Sequence, residues 1–177
     1  MAQQVRAFDE LELENGVYAL ETTGWEVAPG AIDLSAFVDE LVEVTGTLDV
    51  SGAVPVLTLA TAALADDALE VVGTGGLGTA LDLTVESSTA SFGFVLAGAA
   101  GDPAPLDLLG DPRYTGTSCL QLPAVMVSSG PFVNEELGVQ LPIPNNPALV
   151  GAELRLQAGV ANGAFMLINA VDVEVVP

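Results

Sequence analysis

Apolar residues in this chain recur at every second position, in short runs cut off by Gly, Pro, Asn and Asp. Val42-Glu43-Val44-Thr45-Gly46-Thr47-Leu48 alternates cleanly, and Leu81, Leu83 and Val85 alternate with Asp82, Thr84 and Glu86. Val171-Asp172-Val173-Glu174-Val175 repeats the pattern further on. Successive strand side chains point to opposite faces, so a period of two buries one face of a strand and cannot bury one face of a helix. The chain is therefore expected to be all-β.

Four further observations set the expected organisation. Val17–Leu20, Val42–Leu48, Val54–Thr61 and Ala68–Val72 are strand candidates in the first part of the chain. Leu81–Glu86, Phe92–Leu96, Leu120–Val127, Leu149–Ala158, Ala164–Asn169 and Val171–Val176 follow with no helical run between them. Leu34-Ser35-Ala36-Phe37-Val38-Asp39-Glu40 spaces its apolar residues for one short helix, with Asp33 placed to cap it. The cluster Gly73-Thr74-Gly75-Gly76-Leu77-Gly78 between two strand-like runs is the best candidate for a boundary. A phosphate cradle is a second use for such a cluster, but neither the Walker Lys nor a following helix is present.

The run Leu41 to Leu48 after the short helix, followed by Pro55-Val56-Leu57-Thr58-Leu59, resembles the small OB-type barrels of many secreted bacterial proteins. The expected arrangement is an N-terminal arm over residues 1–13, a small OB-like β-barrel with one short helix over 14–73, a Gly-rich linker over 74–78, and an antiparallel, jelly-roll-like β-sandwich over 79–177.

A second resemblance covers about residues 80 to 177. Phe94-Val95-Leu96-Ala97-Gly98, then Gly138-Val139-Gln140-Leu141-Pro142-Ile143-Pro144-Asn145-Asn146-Pro147-Ala148-Leu149-Val150-Gly151, then Leu154-Arg155-Leu156-Gln157-Ala158 stand in order. They resemble a β-sandwich module recurrent in secreted proteins of planctomycetes and similar bacteria. The resemblance implies export and architecture rather than an activity. Asn162-Gly163, before the last strand, is shorter than the loop often found there.

Composition excludes several functions. The chain of 177 residues carries 24 Asp and Glu against three Arg, with no Lys or His, for a net charge of −21. Carboxylates repel phosphate and anionic headgroups, so nucleic acid and polybasic-type membrane binding lose their driving force. Without His the commonest general base and metal ligand is missing, and without Lys no second amine base can activate Ser or Thr. No Gly-x-Ser-x-Gly elbow occurs. The longest apolar stretches, such as Ala53 to Leu64, are too short and interrupted to span a bilayer as a helix of about 20 residues. Cys119 is the only cysteine, so no intrachain disulfide or Cys-based zinc site forms, and it reads as a small buried hydrophobe. Met1 to Phe8 lacks the apolar core of a signal peptide, and Ala2-Gln3-Gln4 fits a start from which a leader was removed.

Carboxylates are the one plentiful chemical resource. Asp9-Glu10, Glu12 and Glu14 form an acidic run, and Asp39-Glu40, Asp66-Asp67 and Glu135-Glu136 are adjacent pairs. Two acids held about 5 to 9 Å apart in a cleft could hydrolyse a glycoside, but no cleft is legible, and solvated loop charge explains the pairs. Calcium accepts irregular oxygen sets, so Asp66-Asp67, or Gly101-Asp102 with Asp107 and Asp111, are the candidates for a metal whose ligands the sequence leaves unknown. Tyr18, Trp25 and Tyr114 could stack on a sugar ring, although Trp25 reads more readily as a core residue. Pro142-Ile143-Pro144-Asn145-Asn146-Pro147 reads as a rigid connection between sheets, because proline removes ladder donors.

The expected function is that of an exported, non-enzymatic structural or interaction protein of a bacterial cell surface or extracellular space. It would use no catalytic residue and no cofactor, and would associate with copies of itself or with other surface proteins through sheet edges, apolar patches or the arm over residues 3–13. The alternative is a carbohydrate- or calcium-dependent binding module.

Overall fold

The alternating runs form a closed barrel and several further sheets in a computed structural model, which describes residues 2–106, 113–121 and 123–177. The barrel strands are β1 (Ala2–Glu14), β2 (Val17–Leu20), β3 (Glu26–Ala28), β4 (Glu40–Asp49) and β5 (Val56–Leu64). They are hydrogen-bonded in the order β1-β2-β3-β5-β4, with β3 parallel to β5 and the other pairs antiparallel. On β4, Val42, Val44 and Leu48 point inward and are buried, while Glu43, Thr45 and Thr47 alternate with them toward solvent. Val5, Ala7 and Leu11 of β1, with Leu20, Trp25, Val27, Leu34, Leu57 and Leu59, complete this core. Each large aliphatic chain removed from water there contributes about 1.5–3 kcal/mol before entropy is counted. The β1–β2 connection is Asn15-Gly16, with φ of 50° and 83°, the two-residue turn whose twist matches antiparallel strands.

Two expectations for this region are corrected. Residues 2–13 are not a free arm: Ala2–Leu11 pairs with β4 and Leu11–Glu14 with β2, so the segment is the strand that closes the barrel. Leu34–Glu40 is not a helix. The Phe37 N–H donates to the Leu34 carbonyl and the Glu40 N–H to that of Phe37, three-residue turns that never reach an α-helical ladder. Asp39 lies at φ 63°, outside the right-handed helical region. Seven residues are too few to offset helix nucleation. Leu34 instead drops into the barrel core, and Asp33 accepts the Ser35 N–H in a local turn. No α-helix occurs among the described residues; Pro147–Leu149 is a 3-10 turn capped by Asn146.

The remaining strands are β6 (Asp67–Val72), β7 (Ala80–Ser87), β8 (Phe92–Gly98), β9 (Ala100–Pro105), β10 (Tyr114–Thr115), β11 (Thr117–Leu120), β12 (Val125–Pro131), β13 (Glu136–Pro142), β14 (Glu153–Ala161) and β15 (Phe165–Glu174). They form a five-stranded sheet, β10-β15-β14-β8-β12, a three-stranded sheet, β13-β7-β6, and a pair, β9 with β11. Leu69, Leu81, Leu83 and Val85 from the three-stranded sheet share one core with Val95, Leu156, Ala158, Val160 and Ile168 from the five-stranded sheet. The expected strand Leu120–Val127 is split between β11 and β12. The expected Ala164–Asn169 and Val171–Val176 are one strand, β15.

Strand β6 corrects the expected boundary. It pairs with β7 from Asp67↔Ser87 to Val72↔Asp82, so it belongs to the second core, and the chain leaves the barrel at residues 65–66. Residues 74–78 are therefore not a linker. They lie in the turn between β6 and β7, held where the Leu77 N–H donates to the Val176 carbonyl and the Val176 N–H to that of Gly75. Gly75 sits at φ 64°, and a Cβ there would stand 2.4 Å from the Glu174 carbonyl oxygen. Its glycines serve close backbone approach, which a sequence alone does not distinguish from flexibility. Pro142–Pro147 connects the two larger sheets as expected, with Ile143 buried in their core.

Three features tie the parts together. Phe8 points outward from the barrel strand β1 into the second core. The Asn169 amide accepts the Leu69 N–H at 2.7 Å and donates to the Leu69 carbonyl at 3.0 Å, imitating the strand partner that β6 lacks on that edge. The fully buried Gln157 amide does the same for β11: Nε2 donates to the Thr117 and Ile168 carbonyls at 2.7 and 2.9 Å, and Oε1 accepts the Cys119 N–H at 3.0 Å.

Candidate functional site: an apolar groove on the five-stranded sheet

A sheet with one face on a core ordinarily turns polar residues outward. On β8, Val95 faces the core, and the alternate residues Phe92, Phe94 and Leu96 line the opposite face. On β15, Phe165 and Leu167 lie on that same face, while Ile168 packs inward. Between them runs β14, where Gly159 stands in register with Phe94 on one side and Leu167 on the other. With no side chain at Gly159, the Phe94 ring lies across the strand; a Cβ there would meet it at 2.2 Å. The missing side chain makes the floor of a groove.

Leu106, Tyr114, Met126 and Ser129 wall this groove, a cavity of about 560 Å³. Tyr114 stacks on Phe165 with centroids 5.9 Å apart and planes at 13°, and Phe94 meets Phe165 edge-on at 6.1 Å and 62°. These offset and edge geometries are the favourable ones for aromatic pairs. The Arg113 guanidinium stands 5.9 Å from the Tyr114 ring centre. Among the described residues no Asp, Glu or Arg lines the groove, and Ser129 and Tyr114 supply the side-chain hydroxyls. Met126 and Phe165 remain 57% and 45% exposed, so the groove is open.

A second cavity, of about 350 Å³ and polar, lies between the barrel and β15. Asp9, Glu10 and Glu21 line it from the barrel, Arg155, Asn169 and Asp172 from the sheet. Arg155 grips Asp172 through two parallel bonds of 2.7 and 2.6 Å. Asp9 is buried and committed: Oδ1 accepts the Glu10 and Thr22 N–H groups and Oδ2 accepts that of Thr23, fixing the turn after β2. Burial raises the Asp9 pKa despite these bonds. Glu21 is also raised, first by burial and then by repulsion from Glu10, Glu12, Asp9 and Asp172.

The other sequence candidates are scattered. Asp66 and Glu135-Glu136 come together with Glu86 around a shallow depression, whereas Asp67 is buried and does not line it. Asp39-Glu40 sits at the start of β4, and Asp102 lies in β9. Asp107 and Asp111 fall outside the described residues. No group of three or more Cys, Asp or Glu able to hold a metal occurs among the described residues. Trp25 is buried in the barrel, Tyr18 packs against the same core, and Tyr114 is in the groove, so the three aromatics share no surface. Cys119 is buried, and desolvation followed by repulsion from Asp9 pushes its thiol up to about 12, which removes thiolate reactivity.

The groove itself was missed by strand-by-strand reading. Its signal is Phe92-Gly93-Phe94-Val95-Leu96, apolar on both parities, where a one-sided strand would alternate.

The polar cleft sets the pH dependence of stability. A carboxyl whose folded pKa is raised contributes stability that is complete below its unfolded value and lost as pH rises through the folded one. Asp9 and Glu21 are such groups, and discharging a chain of net charge −21 adds to their effect. Asp33 and Asp49, lowered by the Ser35 and Ser51 N–H groups, act oppositely, but only below the ordinary carboxylate range. Thermal melts at low salt are expected to show a higher Tm near pH 5 than at pH 7. Glu21→Gln should flatten that rise; a Tm that falls steadily from pH 7 to 5 contradicts it.

No family model matches the chain, and no curated protein matches it.

Proposed function

We propose that the chain is an exported, non-enzymatic interaction protein of a bacterial cell surface or extracellular space, and that the apolar groove is its working surface. The barrel is read as OB-type, on the strand order β1-β2-β3-β5-β4 with β3 parallel to β5, and the remaining sheets as a jelly-roll-like sandwich of the secreted-module kind. The observation that carries the reading is the double-sided apolar character of β8 and β15, which leaves Phe92, Tyr114 and Phe165 open to solvent around one groove. The ionisable groups support a binding role over a chemical one: Asp9 is held by three backbone donors and Arg155 by Asp172. A glycan fits the groove less well, since its hydroxyls would meet two side-chain hydroxyls among seven apolar residues.

The segment over residues 3–13 is spent inside the barrel, so the groove rather than a donated arm is read as the surface that takes up a bound molecule or a second chain. Native mass spectrometry of the protein purified from its own host tests it. The wild type should carry extra mass, as a bound molecule or a second chain, that Met126→Asp lacks at unchanged Tm. Bare monomers of both would end the reading.

A further inference from the structure

Resting on the groove as the binding surface, we propose that its occupant is a small, uncharged, apolar molecule carrying a ring or short hydrocarbon chain, rather than a second copy of this chain. Size is the first argument. A stable protein interface takes about 20–30 residues a side, whereas nine of the described residues line this groove. Its volume of about 560 Å³ falls instead within the roughly 300–1,000 Å³ of small-molecule sites.

Charge is the second argument. Two copies bring together two chains of −21 each, and the one cation placed beside the groove among the described residues, Arg113 at the Tyr114 ring, is small against that repulsion. The same field turns away anionic amphiphiles such as fatty acids. A cation would be drawn to the protein, but among the described residues no carboxylate lines the groove to receive it, so a neutral molecule is the class that fits both facts. Shape is the third. Gly159 lowers the floor between Phe94 and Leu167, and Phe165 presents a ring braced from two sides by Tyr114 and Phe94. A braced ring loses little freedom when a flat or extended apolar ligand lies against it.

The test titrates the neutral fluorophore N-phenyl-1-naphthylamine into the full chain in saline buffer, beside its anionic relative 1-anilinonaphthalene-8-sulfonate. Saturable one-site binding of the neutral probe is expected, at least about tenfold tighter than the anionic one. Met126→Asp, at a position 57% exposed, should weaken it about tenfold or more with Tm unchanged, and Phe165→Ala should weaken it as much while lowering Tm through its lost ring contacts. Absence of saturable neutral binding, or equal binding by both variants, overturns the proposal. Sedimentation velocity separates its failure from that of the underlying reading. If the neutral probe does not bind but the wild type dimerises and Met126→Asp does not, the groove stands with a second copy as occupant. If neither occurs, the groove is not a binding surface.

Discussion

Removing residues 1–13 is expected to abolish folding of the barrel. β1 supplies Val5, Ala7 and Leu11 to the barrel core and is hydrogen-bonded to β4 along ten consecutive register pairs. Its loss opens the barrel between β2 and β4, exposes two unpaired edges, and takes Phe8 out of the second core as well. Losing these four buried side chains together with the β1 hydrogen bonds is comparable with the roughly 5–15 kcal/mol that holds a domain folded. Trp25 is the only tryptophan and is 2% exposed, so it reports on this core alone. Its emission should move to that of a solvated indole in the truncated chain. A native-like spectrum with cooperative melting would show that β1 is dispensable.

The second large effect is expected at Gln157. Replacing it by Leu keeps nearly the same volume, so little packing is lost. The Thr117 and Ile168 carbonyls and the Cys119 N–H, however, all lose their buried partner at once. Each unsatisfied buried group costs about 1–3 kcal/mol. Urea unfolding of Gln157→Leu should therefore lose at least about 3 kcal/mol, with the transition slope unchanged. Gln157→Glu should do no better, since a carboxylate offers neither N–H that the two carbonyls require. A loss under about 1 kcal/mol would mean that β11 is held by its pairing with β9 alone.

Strand content was legible in the sequence, because a period of two survives without knowing what lies on either side. The alternation at Val42–Leu48 became β4, and that at Leu81–Glu86 became β7. Long-range partners were not legible. Nothing local assigns Ala68–Val72 to Asp82–Ser87 rather than to the barrel strands preceding it, and its buried Leu69 looks the same in either core. The Gly73–Gly78 cluster misled for a related reason: a glycine that permits a carbonyl to approach reads like one that permits disorder. Leu34–Glu40 shows that helical spacing over two turns is satisfied as well by a loop with one buried leucine. Of the candidate site, Tyr114 alone was singled out. The groove depends on β8, β14 and β15 lying side by side, and their neighbourhood is a property of topology.

Phe8 also bears on the order of assembly. The core it joins includes Ile168, 160 residues further along the chain, β1 packs against β15, and Thr22 of the barrel reaches Ala170. During synthesis, the barrel's opening strand must wait with an aromatic ring uncovered until nearly all the rest of the polypeptide has emerged. Contacts so distant in sequence close slowly and leave partly built states open to aggregation. Mutual repulsion among nascent chains this rich in carboxylates keeps those waiting states apart, giving the anionic composition a role before the native molecule exists.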